Sequence, residues 1–367
     1  FMEKVKIKVL TFHAVSNHGS ALQTLATQKK LEALGCEVEF IDFRRYDCVS
    51  SANLVKFWNR GRKFPLTWIR AAILWPQFKR WERMFGEFRK KYIHLGKPMY
   101  TSEEQLKNFP LDADVYCVGS DQVWNSDWNE GIIPPFFLSF IPDNCKKISY
   151  SSSFGLTELP EKEKPEIKKL LSSFDFLSVR ESSGVDILHD LGFDGEHILD
   201  PTLNMTKEFW AEYTPPRMVK EPYLLIYQLY SSKEFDDYAI RVAKHKGLKV
   251  VRLCTLYHQL IRPGKGILAP HVEDFLSLVK YADLVMTDSF HATAFSVNLN
   301  RNFISIIPKF GGRIFSLLEL VGLKRRATSN LDDITIADDE IDFESVNKVL
   351  DEMREKADAY LHKAIGI

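Results

Sequence analysis

Several kinds of signal are missing from this chain of 367 residues. No GxGxxG run follows any strand-like segment, so a dinucleotide fingerprint is absent. The five cysteines (Cys36, Cys48, Cys117, Cys145, Cys254) are scattered, odd in number and free of CxxC spacing, which argues against a zinc site and for reduced thiols. No apolar run approaches the ~18 residues of a membrane span, and Val5 to Phe12 is a strand-length run, not the apolar core of a signal peptide. Lys plus Arg and Asp plus Glu balance at 49 each. There is thus no overall field to attract nucleic acid, and an anionic ligand must be met by a local cluster. The expectation is a cytoplasmic protein that needs no metal.

What is present is a βα rhythm. Hydrophobic residues make up 45% and charged residues 27%, an ordinary globular composition, and the length favours two domains. Val5–Phe12 reads as a strand, Ala21–Leu34 as a helix closed by Gly35, and Glu37–Asp42 as a second strand. The rhythm returns after Glu221-Pro222 with strands at Tyr223–Gln228, Lys249–Leu253, Leu284–Thr287 and Asn302–Ile307. The fold class expected is α/β, two Rossmann-like domains facing a cleft. Residues 1–210 form the first domain, 220–340 the second, and an amphipathic helix in 341–367 packs back across them. The breakers Pro215-Pro216 and Glu221-Pro222 mark the boundary.

Residues 54–92 interrupt the first domain. Eleven Lys or Arg face only Glu82 and Glu87 there, with Trp58, Trp68, Trp75 and Trp81 interleaved. One reading is an interfacial hairpin resting on anionic lipid, which would make the protein membrane-peripheral. The plainer and expected reading is a helical insertion whose basic residues are solvated and whose tryptophans pack inward.

Three turns carry candidate chemistry. Thr287-Asp-Ser-Phe-His291 joins a buried strand to a helix, with Asp288 and Ser289 as cap residues. A helix start offers N–H groups to an anion, and His291 on its first turn could protonate what is held there. In Val115–Asn125, Ser120, Asp121, Gln122 and Asn125 crowd the end of a strand beside Trp124, a mixture suited to gripping a sugar; turn chemistry alone explains Gly-Ser-Asp equally well. Arg180 ends another strand, as an anion ligand or a surface ion pair with Glu181. In the first βα turn, Asn17 and Gln23 fit acceptor contacts or structural hydrogen bonds alike. Arg313, after a glycine turn, could point its guanidinium into the cleft.

Asn17-His-Gly-Ser-Ala-Leu-Gln23, Val118-Gly-Ser-Asp-Gln-Val-Trp-Asn125, Ser178-Val-Arg-Glu181, Asp200-Pro-Thr202 and Thr287-Asp-Ser-Phe-His291 occur in one order over most of the chain. Together they resemble the polysaccharide pyruvyl transferase family. That resemblance implies a glycosyltransferase-B-like fold and transfer of pyruvate from phosphoenolpyruvate, as donor substrate, onto two hydroxyls of a sugar or glycan, possessing or lacking a lipid carrier, to form a ketal without a cofactor. It implies that His291 protonates the donor and that Arg180 binds its anionic end. Asp121, facing the cleft, would orient or deprotonate the attacking hydroxyl. Ser289 stands where several branches carry arginine, and Arg313 or Lys309 is expected to supply that charge unless the donor has changed. A nucleotide-sugar glycosyltransferase of the same fold and a non-catalytic glycan-binding relative are the competing readings.

Overall fold

The computed structural model describes residues 4–61, 63–307 and 312–367. The chain forms two compact units, one of residues Phe1–Pro201 with Lys356–Ile367 and one of Thr202–Glu355. The break expected at 210–220 therefore falls inside the second unit. Trp210 is the reason: its indole donates to Thr202 O at 2.9 Å and its ring meets Phe295 edge-on at 4.9 Å. The closing helix, Phe343–Ile365, begins in the second unit and ends in the first. There Tyr360 donates to Ser149 O at 2.7 Å.

In the first unit, β1 (Lys6–Leu10), β2 (Glu37–Phe40), β3 (Val115–Val118) and β4 (Lys146–Ser149) form a parallel sheet of order β2-β1-β3-β4. Bridges from Ile148 to Phe176 and Ser152 to Val179 lead on to the parallel pair β5 (Ser178–Val179) and β6 (Glu196–His197). All four residues of β3 are buried, as expected of a strand with both faces covered. One core gathers Leu10, Phe12, Tyr116 and Val118 with Phe136, Phe137 and Leu188.

The second unit carries β7 (Tyr223–Tyr227), β8 (Lys249–Leu253), β9 (Lys265–Ile267), β10 (Leu284–Thr287), β11 (Phe303–Ile306) and β12 (Ala327–Thr328). Their order is β12-β11-β10-β7-β8-β9, all parallel. Counted along this unit alone, that is the 3-2-1-4-5-6 order of a doubly wound sheet, with its switch point between β7 and β10. Leu224, Ile226, Met286 and Ile304 meet Tyr238 and Val242 in its core.

The helices of residues 51–92 correct one expectation. Ser51–Trp58 and Leu66–Tyr92 are helical, and Trp81 is buried as foreseen, but Trp58, Trp68 and Trp75 are exposed. The helix turns Phe78, Trp81, Phe85 and Phe88 inward over its second half only. Among the described residues no helix is long and apolar enough to cross a membrane.

Candidate functional site

Asn17, Ser120, Asp121 and Gln122 in the first unit, and Ser289 and His291 in the second, follow the carboxyl ends of strands that flank the point where strand order reverses, whereas Arg180 follows β5 and Arg313 comes from the helix after β11. The chain leaves neighbouring strands there in opposite directions, so the ends are uncovered and ligands collect at them.

In the first unit those strands are β1 and β3. Asn17 caps the helix His18–Ala33, its Oδ1 accepting from Gly19 N at 2.8 Å and Ser20 N at 3.3 Å. Ser20 Oγ then donates to Asp121 Oδ2 at 2.6 Å, tying the turn after β1 to the turn after β3. Asp121 is left-handed, φ 81°, a conformation that a non-glycine residue holds only when its surroundings over-determine it. Its Oδ1 accepts from Gln122 N at 2.8 Å. That contact is to the next residue in the chain, so it is a local bond from the side chain to its own turn and not the two-residue bond of an Asx turn.

Arg180 departs from expectation. Its side chain is 0% exposed and faces three carboxylates: Asp200 at 2.9 Å, Asp121 at 3.4 Å and Glu181 at 3.7 Å. Burial alone would lower the guanidinium's pKa, but Asp200, Asp121 and Glu181 outweigh it and hold it above its ordinary value. A buried cation enclosed in this way offers no open fork to a donor anion. It acts instead as the counter-charge of Asp121. Ser120 belongs to the same knot, its Oγ donating to Asp200 Oδ2 at 2.8 Å, and Glu181 Oε1 accepts from Ser153 Oγ at 2.9 Å and Gly155 N at 3.0 Å. Gln23 is buried, donating to Thr11 Oγ1 at 3.2 Å and Thr24 Oγ1 at 3.1 Å.

Asn125 caps a short helix through Trp128 N, 3.0 Å from its Oδ1, and gives its amide hydrogens to Gln122 Oε1 at 2.7 Å. Gly155, φ +62°, lies so close that a Cβ there would come within 2.4 Å of Gln122 Oε1. Gln122 is only half-buried and is the member of this pair that solvent reaches most readily. Trp124 is no sugar platform. Its indole donates to Phe136 O at 2.9 Å and it stacks on Phe137 with 5.5 Å between ring centroids, inside the core.

In the second unit the strands are β7 and β10. Ser289 caps the helix Phe290–Asn298, its Oγ accepting from Ala292 N at 3.4 Å while its own amide donates to Thr287 Oγ1 at 3.0 Å. His291 sits on the first turn, 7% exposed, with Phe290 edge-on at 5.2 Å between ring centroids. The Arg313 guanidinium lies over the Phe290 ring, 5.6 Å from its centroid. Arg313 is thus brought to the turn that carries His291, by a cation–π contact from the helix Gly312–Leu320. Lys309 lies outside the described residues.

Asp288 was read from the sequence only as a cap residue. It clamps the turn after β7: Oδ1 accepts from Leu229 N at 2.7 Å and Oδ2 from Tyr230 N at 2.9 Å. Burial pushes its carboxyl from the ordinary 3.8 up to about 6, against the opposing pull of the Leu229 and Tyr230 amides. Between these values the folded protein keeps a proton that the unfolded chain releases. The stability this group contributes is therefore full below its unfolded pKa and lost as pH rises through about 6. A carbon-detected NMR titration should find the Asp288 carboxyl midpoint near 6, with stability declining over the same interval; a midpoint near 3.8 would mean that the two amides dominate.

Comparison with known proteins adds a family and a fold. A family model described as polysaccharide pyruvyl transferase matches residues 17–309. No curated protein matches the chain. Among solved structures, a putative UDP-N-acetylglucosamine 2-epimerase from Listeria monocytogenes is similar at TM-score 0.55 and 12% identity, over 95% of this chain and 91% of that one. The UDP-N-acetylglucosamine 2-epimerase from Rickettsia bellii is similar at TM-score 0.53 and 11% identity, over 99% and 98%. The structure of LpCGTa in complex with UDP aligns at TM-score 0.52 and 10% identity over the whole of both chains. At these identities the likeness concerns the fold: two Rossmann-like domains of the glycosyltransferase-B type.

Proposed function

This chain belongs to the polysaccharide pyruvyl transferase family, a family of transferases, and on that premise we propose that it moves pyruvate from phosphoenolpyruvate onto two hydroxyls of a sugar in a surface polysaccharide or its precursor. The observation that carries the proposal is His291 on the first helical turn after β10, with the Arg313 guanidinium over the neighbouring Phe290 ring. The second unit is then the donor side and the first unit the acceptor side. The compartment required is the cytoplasm, where phosphoenolpyruvate is made.

Phosphoenolpyruvate becomes electrophilic at C2 only when its methylene carbon gains a proton. An imidazolium beside a bound trianion is suited to supply it. His291 gives that proton, forming a methyl group, and one sugar hydroxyl attacks C2. The C2–O bond to phosphate breaks and a second hydroxyl closes the ketal. Of the two hydroxyl protons, one restores His291 and the other leaves with phosphate, so donor plus diol becomes ketal plus hydrogen phosphate with charge conserved.

Ser289 cannot reproduce a guanidinium's charge or its fork. Arg313 takes over that part, together with the positive end of the helix Phe290–Asn298. On the acceptor side, Gln122 and Asn125 meet hydroxyls and Asp121 orients or deprotonates the attacking one. Arg180, Ser120 and Asn17 act behind them as positioning residues.

The competing reading is nucleotide-sugar-dependent glycosyl transfer, in which the same helix start would take a diphosphate; this draws on fold likeness to proteins named for UDP-sugars. The test is titration calorimetry with phosphoenolpyruvate beside uridine and guanosine diphosphate sugars, followed by phosphate release and mass analysis with sugar acceptors. Phosphoenolpyruvate binding with an acceptor mass gain of one pyruvate less one water is the expected result. Binding of a nucleotide sugar alone would replace the proposal with the glycosyltransferase, and glycan binding with no donor turnover would make the chain a non-catalytic relative.

A further inference from the structure

The first ten residues of the helix Leu66–Tyr92 are amphipathic in the wrong sense for a protein in water. At about 100° per residue, Thr67, Arg70, Ala71 and Leu74 share the side that is half-buried against the protein. The opposite side carries Leu66, Trp68, Ile69, Ile73 and Trp75, all exposed, with Trp68 at 73% and Ile73 at 66%. Phe64, just before the helix, is 78% exposed. Scattered apolar side chains on a surface need no explanation, but a contiguous apolar face of this kind marks a place where something docks.

The charge around it identifies the occupant. From Cys48 to Trp81 there is no acidic residue, while Lys56, Arg60, Arg62, Lys63, Arg70, Lys79 and Arg80 are basic. Arg60 and Lys79 are neutralised by Glu130 and Glu82. Lys56 and Lys63 are exposed and Arg70 lies at the flank of the apolar face. An apolar face flanked by Lys63 and Arg70, on a segment with no carboxylate of its own, is complementary to an anionic lipid surface, where the rings and branched chains enter the acyl boundary and the cations meet phosphate.

We propose that the start of the helix Leu66–Tyr92, with Phe64, is a docking face for the surface of an anionic membrane, lying in the interface without spanning it. The inference does not depend on the identity of the donor. It does bring the acceptor side of the enzyme to a bilayer, where a sugar carried on a lipid would be presented.

Flotation of the full chain with vesicles tests it. Phosphatidylcholine mixed with phosphatidylglycerol should bind the protein, with a blue shift in tryptophan emission, and pure phosphatidylcholine should bind it far less. Trp68→Glu combined with Ile73→Glu should lower binding about tenfold or more, and Lys63→Glu with Arg70→Glu should remove the preference for the anionic vesicles. All four positions face solvent or its border, so thermal melts of the variants should match the parent. Absence of binding to either vesicle, or equal binding by the apolar variant, overturns the proposal. Self-association that Trp68→Glu with Ile73→Glu abolishes would overturn it too, since a second copy would then be the occupant. Phosphoenolpyruvate turnover on a soluble acceptor should persist in every variant, so failure here and failure of the donor assignment are separable.

Discussion

His291→Ala should lower kcat for pyruvyl transfer by about 10²- to 10⁴-fold, the range that a positioned general acid supplies, and leave phosphoenolpyruvate affinity within a few-fold. The separation of the two effects follows from geometry. In the proposed mechanism helix-start amides and Arg313 hold charge in the ground state, whereas the proton of His291 is needed only as the methylene carbon is protonated and C2 is attacked. Removing the ring leaves the Ser289 cap and the Asp288 clamp in place, since neither uses the imidazole. The measurement is steady-state kinetics beside calorimetric titration of the donor. Turnover equal to the parent's would take His291 out of the chemistry, and donor affinity lost in step with turnover would make it a binding residue. A matching thermal melt is needed for either conclusion, because the ring is largely buried against Phe290.

Arg180→Met should destabilise the first unit by about 3–5 kcal/mol, the usual result of removing one partner from a buried ionic cluster. Methionine fills much of the same space but leaves Asp121, Glu181 and Asp200 facing one another without a counter-charge. Packing is then a minor part of the loss. Urea denaturation followed by a probe in the first unit measures it, and the double variant with Asp200→Asn should recover a substantial share because the two positions share one interaction. A loss below about 1 kcal/mol, typical of an exposed pair, would mean that the cage is open to solvent and that Arg180 is available to an anion after all. Donor binding in the variant, compared at equal folded fraction, should be unchanged.

The parts of the structure legible from sequence are those governed by near neighbours. The central strands were visible because β3, β7 and β10 are short runs buried along their whole length, and helix ends were visible where Ser289 or Gly35 punctuates them. β9 and β12 were not, being three and two residues long and identifiable only by the strand beside them. The turn at Thr287–His291 was legible for the same local reason as the strands. The cage around Arg180 was not, since its carboxylates come from positions 121, 181 and 200 and only Glu181 is adjacent in the chain. Trp124 was misjudged because its surroundings, Phe136, Phe137 and Phe154, arrive from later in the chain. Trp68 and Trp75 were misjudged in the opposite direction. Periodicity reveals that a helix has an apolar side, but not which side the rest of the molecule covers.

The first unit is made from two separated stretches of chain, residues Phe1–Pro201 and Lys356–Ile367. A ribosome builds its sheet early and then spends the whole of the second unit before the stretch containing Tyr360 and Asp358 emerges to reach Ser149 and Lys30. The second unit is continuous and can close first, since domains fold as their residues become available. Nascent chains halted before Lys356 would therefore carry a finished second unit ahead of a first unit still lacking its last piece, and a gene fragment ending at Pro201 would encode that incomplete state permanently.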